Sequence, residues 1–142
     1  MTLIERLLAT LQREDDFLLA LASVDANGLP HVRYMKGFID QQLTIRCPTF
    51  AATGKVQEIQ DCADVSLTCG DTDSLQPGSY FQITGKASIS RSREDRMLAW
   101  TERMEKWFTG PDDDTYAVVK IEPVHIRAFP IGGGPAGDVW SA

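Results

Sequence analysis

Leu3, Ile4, Leu7, Leu8 and Leu11 recur at helical spacing, and Thr2 precedes Glu5 by the three residues of a capping box. The pattern predicts an amphipathic helix at the start of the chain. Residues 17–24 form a mostly apolar run of strand length, followed by Asn27-Gly28, a pair suited to the positive φ angles of a tight hairpin turn. A second strand is expected over residues 31–39. A third is expected over 43–47, after a turn at Asp40-Gln41-Gln42. Residues 48–54 read as a polar loop leading into a short helix over 55–60, where Val56 and Ile59 are three apart.

Further along, Val65, Leu67 and Cys69 alternate with Ser66 and Thr68, which predicts a fourth strand over 63–69 and then an acidic loop over 70–78. Residues 80–90 carry the cleanest two-residue period. Phe81, Ile83, Ala87 and Ile89 fall on one face, and Tyr80, Gln82, Thr84, Lys86 and Ser88 on the other. Ser92 and Asp95 can cap a helix running through Met97, Leu98, Trp100, Thr101 and Met104 to Phe108, ended by Gly110-Pro111. The last long strand is expected over 116–129. Short strands joined by tight turns, with few helices between them, favour an antiparallel sheet and an α+β small barrel. One domain is expected over residues 1–131, followed by a Gly-rich tail over 132–142 that is loosely held apart from Trp140.

Composition narrows the partners. The 142 residues include 14 Lys and Arg against 20 Asp and Glu, a formal net charge of −6, so no broad attraction to nucleic acid or an anionic membrane is expected. Any anion must be held locally. Three cysteines without Cys-x-x-Cys spacing and two distant histidines suggest neither a disulfide framework nor a zinc cage, and no metal site is expected. No apolar run approaches the roughly 20 residues that span a bilayer, and the N-terminal segment lacks a signal-peptide core. The expected compartment is a reducing cytoplasm.

Thr49-Phe50-Ala51-Ala52-Thr53-Gly54-Lys55 places two hydroxyls, a glycine and a lysine at the entrance to a helix, where free N–H groups and the helix dipole favour an anion such as phosphate. A simple helix cap with Lys55 in solvent would explain the same residues. Arg33 lies in an otherwise half-apolar strand and could give the same anion a bidentate contact, or stand as a surface cation. Asp112-Asp113-Asp114 lacks the alternating ligand spacing of a calcium loop and reads as a solvated turn.

Read in order, Asp25-Ala26-Asn27-Gly28-Leu29-Pro30-His31-Val32-Arg33-Tyr34-Met35, then Thr49 to Lys55, Val65-Ser66-Leu67 and Tyr80-Phe81-Gln82-Ile83-Thr84-Gly85-Lys86-Ala87 resemble the pyridoxamine 5′-phosphate oxidase-like, FMN-binding split-barrel superfamily. Trp107-Phe108-Thr109-Gly110-Pro111-Asp112-Asp113-Asp114 is similar to its general stress protein 26 branch. The resemblance implies a six-stranded antiparallel split β-barrel with a few flanking helices, and a homodimer that binds FMN at the subunit interface. FAD and a deazaflavin are the alternative cofactors. It also implies site roles. Arg33, Thr53 and Lys55 would hold the FMN phosphate, with Thr49 and the Gly54 backbone beside them. Tyr34, Met35, Lys36 and Gly37 would border the isoalloxazine ring, while Tyr80 and Gln82 would approach from the partner chain. Trp107 and Trp100 are either ring-side aromatics or core.

Two departures matter. Gly54 stands where the family usually has arginine or another polar residue, which removes a cation from the phosphate loop. No arginine follows Arg127, whereas true pyridoxamine phosphate oxidases end with an arginine-containing segment; oxidation of vitamin B6 phosphates is therefore not expected. The resemblance implies a flavin-dependent oxidoreductase of unassigned substrate, or alternatively a flavin-binding or flavin-sequestering stress protein without turnover. Its catalytic residues are not assigned.

Overall fold

A computed structural model describes residues 1–71, 79–130 and 137–142. The chain runs α1 (Leu3–Leu11), β1 (Phe17–Val24), β2 (Pro30–Ile39), β3 (Ile45–Phe50), α2 (Gly54–Asp61), β4 (Asp64–Gly70), β5 (Ser79–Ser90), α3 (Arg93–Leu98), a 3₁₀ turn (Glu102–Lys106), β6 (Tyr116–Pro130) and β7 (Val139–Ser141). The strands follow the order β3-β2-β1-β4-β5-β6-β7, every pair antiparallel, and β3 also pairs with β6. That last pairing closes six strands into a barrel and leaves β7 as an appended edge.

Local chemistry sets most of the elements. Thr2 and Glu5 form the reciprocal capping box of α1, whose Leu3, Leu7 and Leu11 are buried. Asp25 organises the first hairpin: its Oδ1 accepts from the N–H groups of Asn27 and Leu29 at 2.9 and 3.0 Å, and Gly28 supplies φ of 80°. The barrel interior is filled by one cluster that includes Leu19, Leu21, Ile45, Cys47, Leu67, Phe81, Ile83, Ile121 and Ile126. Burial pushes the Cys47 and Cys69 thiols up to about 12, which leaves both as unreactive core residues.

Four expectations shift. The third strand starts at Ile45, because Leu43 is held at φ 72° in the turn organised by Asp40, and it continues through Pro48 and Thr49 to Phe50 by pairing with β6. The expected polar loop therefore shrinks to a few residues. The expected long helix to Phe108 breaks at Ala99, after which a 3₁₀ turn carries the chain on. A second apolar cluster explains the break, since Ala99, Met104, Phe108, Tyr116 and Val118 pack together with Trp100 and Phe38. The tail is also held more firmly than expected over residues 137–142. Val139, Trp140 and Ser141 pair with Arg127, Ile126 and His125, and Arg6 reaches Asp138 at 3.1 Å. Most of the acidic loop expected at 70–78, and residues 131–136 of the domain end and tail, lie outside the described residues.

Candidate functional site

The entrance to α2 lies beside the end of β3, and this junction brings the hydroxyl and lysine residues of residues 49–55 together. Lys55 Nζ donates to Thr49 Oγ1 at 2.8 Å and to Thr53 Oγ1 at 3.2 Å. Thr49 is buried at 6% exposure because β3 extends further than the pattern predicts. Thr53 is the N-cap residue of α2, yet its side chain makes no cap hydrogen bond; the hydroxyl donates back to the Phe50 carbonyl at 3.1 Å. The leading N–H groups of α2 thus lack a side-chain cap, and Gly54 leaves open space beside its Cα. No carboxylate lies within ion-pair distance of Lys55 among the described residues. Burial lowers the Lys55 pKa, and the nearby Arg33 charge lowers it further. Lys55 thus places one partly buried cation beside two hydroxyls and a helix entrance, with the Arg33 charge near enough to act on it.

Arg33 is inward-facing on β2, opposite Leu21. Its Nη1 donates to the Leu21 carbonyl at 3.2 Å and to Ser23 Oγ at 2.7 Å, and its Nη2 meets Glu58 Oε2 at 3.2 Å. Glu58 and Ser23 are members of this cluster that sequence reasoning missed. The available signal was the three-residue spacing of Lys55 and Glu58 on one helix.

From Lys55 and Thr49 a cleft of about 380 Å³ opens outward. Tyr34, Met35 and Lys36 line one side, and Phe50, Met104, Trp107 and Phe108 line the other. Phe50 and Phe108 have ring centroids 4.7 Å apart and pack as a tilted aromatic pair on that side. Trp107 is 60% exposed on this cleft, whereas Trp100 packs against Tyr116 in the second apolar cluster at a centroid distance of 5.7 Å. The two tryptophans thus separate into a cleft residue and a core residue. Arg103 and Asp16 at the rim, 2.5 Å apart, are further lining residues that the sequence did not reveal.

Tyr80 and Gln82 do not reach this cleft within one chain. They lie on the outer face of the barrel, where Tyr34, Ala20, Thr68, Gln82 and Arg127 follow one another across five strands. Tyr80 lines a shallow depression there together with Leu18 and Tyr34. The same face exposes Leu18, Val32 and Tyr34.

The remaining candidates have structural roles. Asp113 binds the N–H and hydroxyl groups of Thr109 and Thr115, which hold its carboxyl down at about 2, so the three-aspartate run is a hydrogen-bonded turn. No cluster of metal-ligating side chains occurs among the described residues, and none of their helices is long and apolar enough to cross a membrane.

A closed six-stranded antiparallel barrel with an adjoining aromatic cleft beside the entrance to α2 defines the class of split-barrel proteins. Residues 6–129 match the pyridoxamine 5′-phosphate oxidase family, and the chain belongs to that family. It is 37% identical over 113 residues to general stress protein 26 of Bacillus subtilis (strain 168), covering 80% of this chain and 79% of that protein. The crystal structure of general stress protein 26 from Bacillus anthracis superposes with a TM-score of 0.82 at 22% identity, covering 100% of both chains. A pyridoxamine 5′-phosphate oxidase-related, FMN binding protein from Nostoc punctiforme gives a TM-score of 0.65 at 16% identity, covering 84% of this chain and 77% of that one. An F420 reductase gives 0.63 at 19% identity, covering 84% and 94%. The chain is thus a member of the pyridoxamine 5′-phosphate oxidase-like general stress protein family.

Proposed function

We propose that the protein is a homodimeric FMN-binding protein of this family that acts as a flavin-dependent oxidoreductase. The observation that carries the reading is the Lys55 ammonium, held by Thr49 and Thr53 beside Arg33 with no carboxylate within ion-pair distance among the described residues. An FMN phosphate would answer that charge at the entrance to α2. The cleft volume falls within the roughly 300–1,000 Å³ of small-molecule sites, and its walls suit a flat ring. Trp107 and Phe50 offer aromatic surface from one side, and the backbone at Tyr34, Met35 and Lys36 lies on the other. Bound flavin supplies electron-transfer chemistry; the chain's own residues bind the phosphate, orient the ring and exclude water from its apolar side.

Dimerisation is supported by the outer face. Tyr34 lines both the cleft and the outer depression that contains Tyr80, so a second copy laid on this face would bring its Tyr80 and Gln82 towards the cleft. Two structural relatives, an FMN binding protein and an F420 reductase, support a flavin or deazaflavin as the ligand class.

Quenching of flavin fluorescence on titrating FMN into the purified protein tests the reading; unchanged fluorescence at saturating FMN rejects it. Anaerobic addition of NADH or NADPH to the flavin-loaded protein then separates turnover from sequestration. Bleaching of the flavin absorbance supports the oxidoreductase, and no reduction by either nicotinamide favours a flavin-holding stress protein.

A further inference from the structure

Glu58 lies on α2 one helical turn beyond Lys55, with a side chain only 17% exposed. Its Oε2 accepts the Ser23 hydroxyl at 2.5 Å and the Arg33 Nη2 at 3.2 Å. His31 Nε2 stands 4.0 Å from its other oxygen, but that imidazole is closer to Asp25, at 2.8 Å. The Ser23 hydroxyl, followed by the Arg33 guanidinium, keeps the Glu58 carboxyl below its ordinary range and therefore ionised. Glu58 does not hold Arg33 in place alone, because Nη1 is already fixed by the Leu21 carbonyl and Ser23. Its distinctive effect is electrical. Arg33 and Lys55 carry two positive charges, and Glu58 cancels one of them inside a partly buried cluster.

We propose that Glu58 is an internal competitor for the ligand's phosphate. The inference rests on reading the Arg33–Lys55 cluster as the phosphate site. A phosphate monoester carries about −1.5 to −2 charge near neutral pH, so it must take Arg33 from a carboxylate and then remain beside it. Glu58 thereby determines ligand specificity by charge, and it makes the flavin an exchangeable ligand instead of a permanently held group. A ligand without phosphate gains nothing when Glu58 is neutralised.

The test compares wild type with Glu58→Gln, which keeps an oxygen acceptor for Ser23 and removes the charge. Inorganic phosphate is the first probe, read as the rise in Tm with concentration, and FMN and riboflavin are the second and third, read by fluorescence. The expected result is about tenfold tighter FMN binding in Glu58→Gln, the scale of one like-charge repulsion at partial burial, with a larger Tm response to phosphate and unchanged riboflavin binding. Glu58→Ala should move phosphate and FMN in the same direction and guards against a packing artefact of the amide. A Tm response to phosphate no greater than wild type in both variants overturns the inference, as does a gain for riboflavin equal to that for FMN. If phosphate stabilises the variants more than wild type while neither FMN nor riboflavin binds any of the proteins, the flavin reading fails and the role of Glu58 stands.

Discussion

Lys55 Nζ donates to Thr49 Oγ1 across 2.8 Å, joining the first turn of α2 to the last residues of β3. Removing the ammonium removes the charge that the two hydroxyls aim at the helix entrance. Lys55→Met should weaken FMN binding by about 1–3 kcal/mol, the scale of a lost charge-assisted hydrogen bond, while riboflavin affinity stays the same. Parallel fluorescence titrations check this; equal losses for both ligands would place the phosphate elsewhere.

Ala20 sits between Tyr34 and Thr68 in the row that crosses the outer face of the barrel. A charge placed there would be buried without a partner if a second copy covers the face. Ala20→Glu should shift the protein from dimer to monomer in sedimentation velocity and weaken FMN binding with it. A variant that stays dimeric would assign the interface to another surface.

Asp95 is 6% exposed and links three elements: Arg46 Nε donates to it at 2.7 Å, Ser90 and Ser92 hydroxyls at 2.5 and 3.0 Å, and Lys120 stands at 3.6 Å. Burial pushes its pKa up, but the hydrogen bonds from Ser90, Arg46 and Ser92 and the Lys120 charge outweigh it and lower the value from 3.8 to about 2. A depressed carboxylate contributes stability above its unfolded pKa and loses it as pH falls through the folded one, here between about pH 4 and pH 2. Asp95→Asn should cost about 2–3 kcal/mol near neutral pH, and the gap to wild type should narrow across that acid window. Urea unfolding at a series of pH values measures it, and a gap independent of pH would refute the assignment.

A Cβ at Gly85 would meet the Glu122 carbonyl oxygen at 2.5 Å, at the point where the β5–β6 register shifts. The obstacle is backbone, which cannot turn aside as a side chain would. Gly85→Ala should therefore lower stability by about 1–3 kcal/mol, read from the denaturation midpoint, with the far-ultraviolet spectrum retained.

Much of the barrel was legible because its signals are local. The Thr2–Glu5 box, the Asp25-to-Gly28 turn and the two-residue period of β5 each act within a few residues, and each appears in the structure where the pattern predicts it. The end of β3 was not legible, since Pro48 and Thr49 look like loop until β6 pairs with them. The break after Leu98 was hidden for a similar reason: the apolar spacing to Phe108 continues, but those residues face a cluster built around Tyr116 and Val118 from a distant strand. Of the candidate site, the sequence pointed to Arg33, Thr49, Thr53 and Lys55, whereas Glu58, Ser23, Asp16 and Arg103 entered through contacts 10 to 87 residues apart.

Hydrophobic period, turn residues and the spacing of Thr49, Thr53 and Lys55 are properties of neighbouring residues, so the sequence by itself determined an antiparallel α+β barrel and gathered two hydroxyls and a lysine at a helix entrance. Which cations share that entrance, which carboxylate opposes them and which tryptophan faces the cleft depend on strand pairing and on packing between distant segments. Tertiary structure decided those, because charge and burial act through space and the order of residues along a chain does not fix distances across a closed barrel.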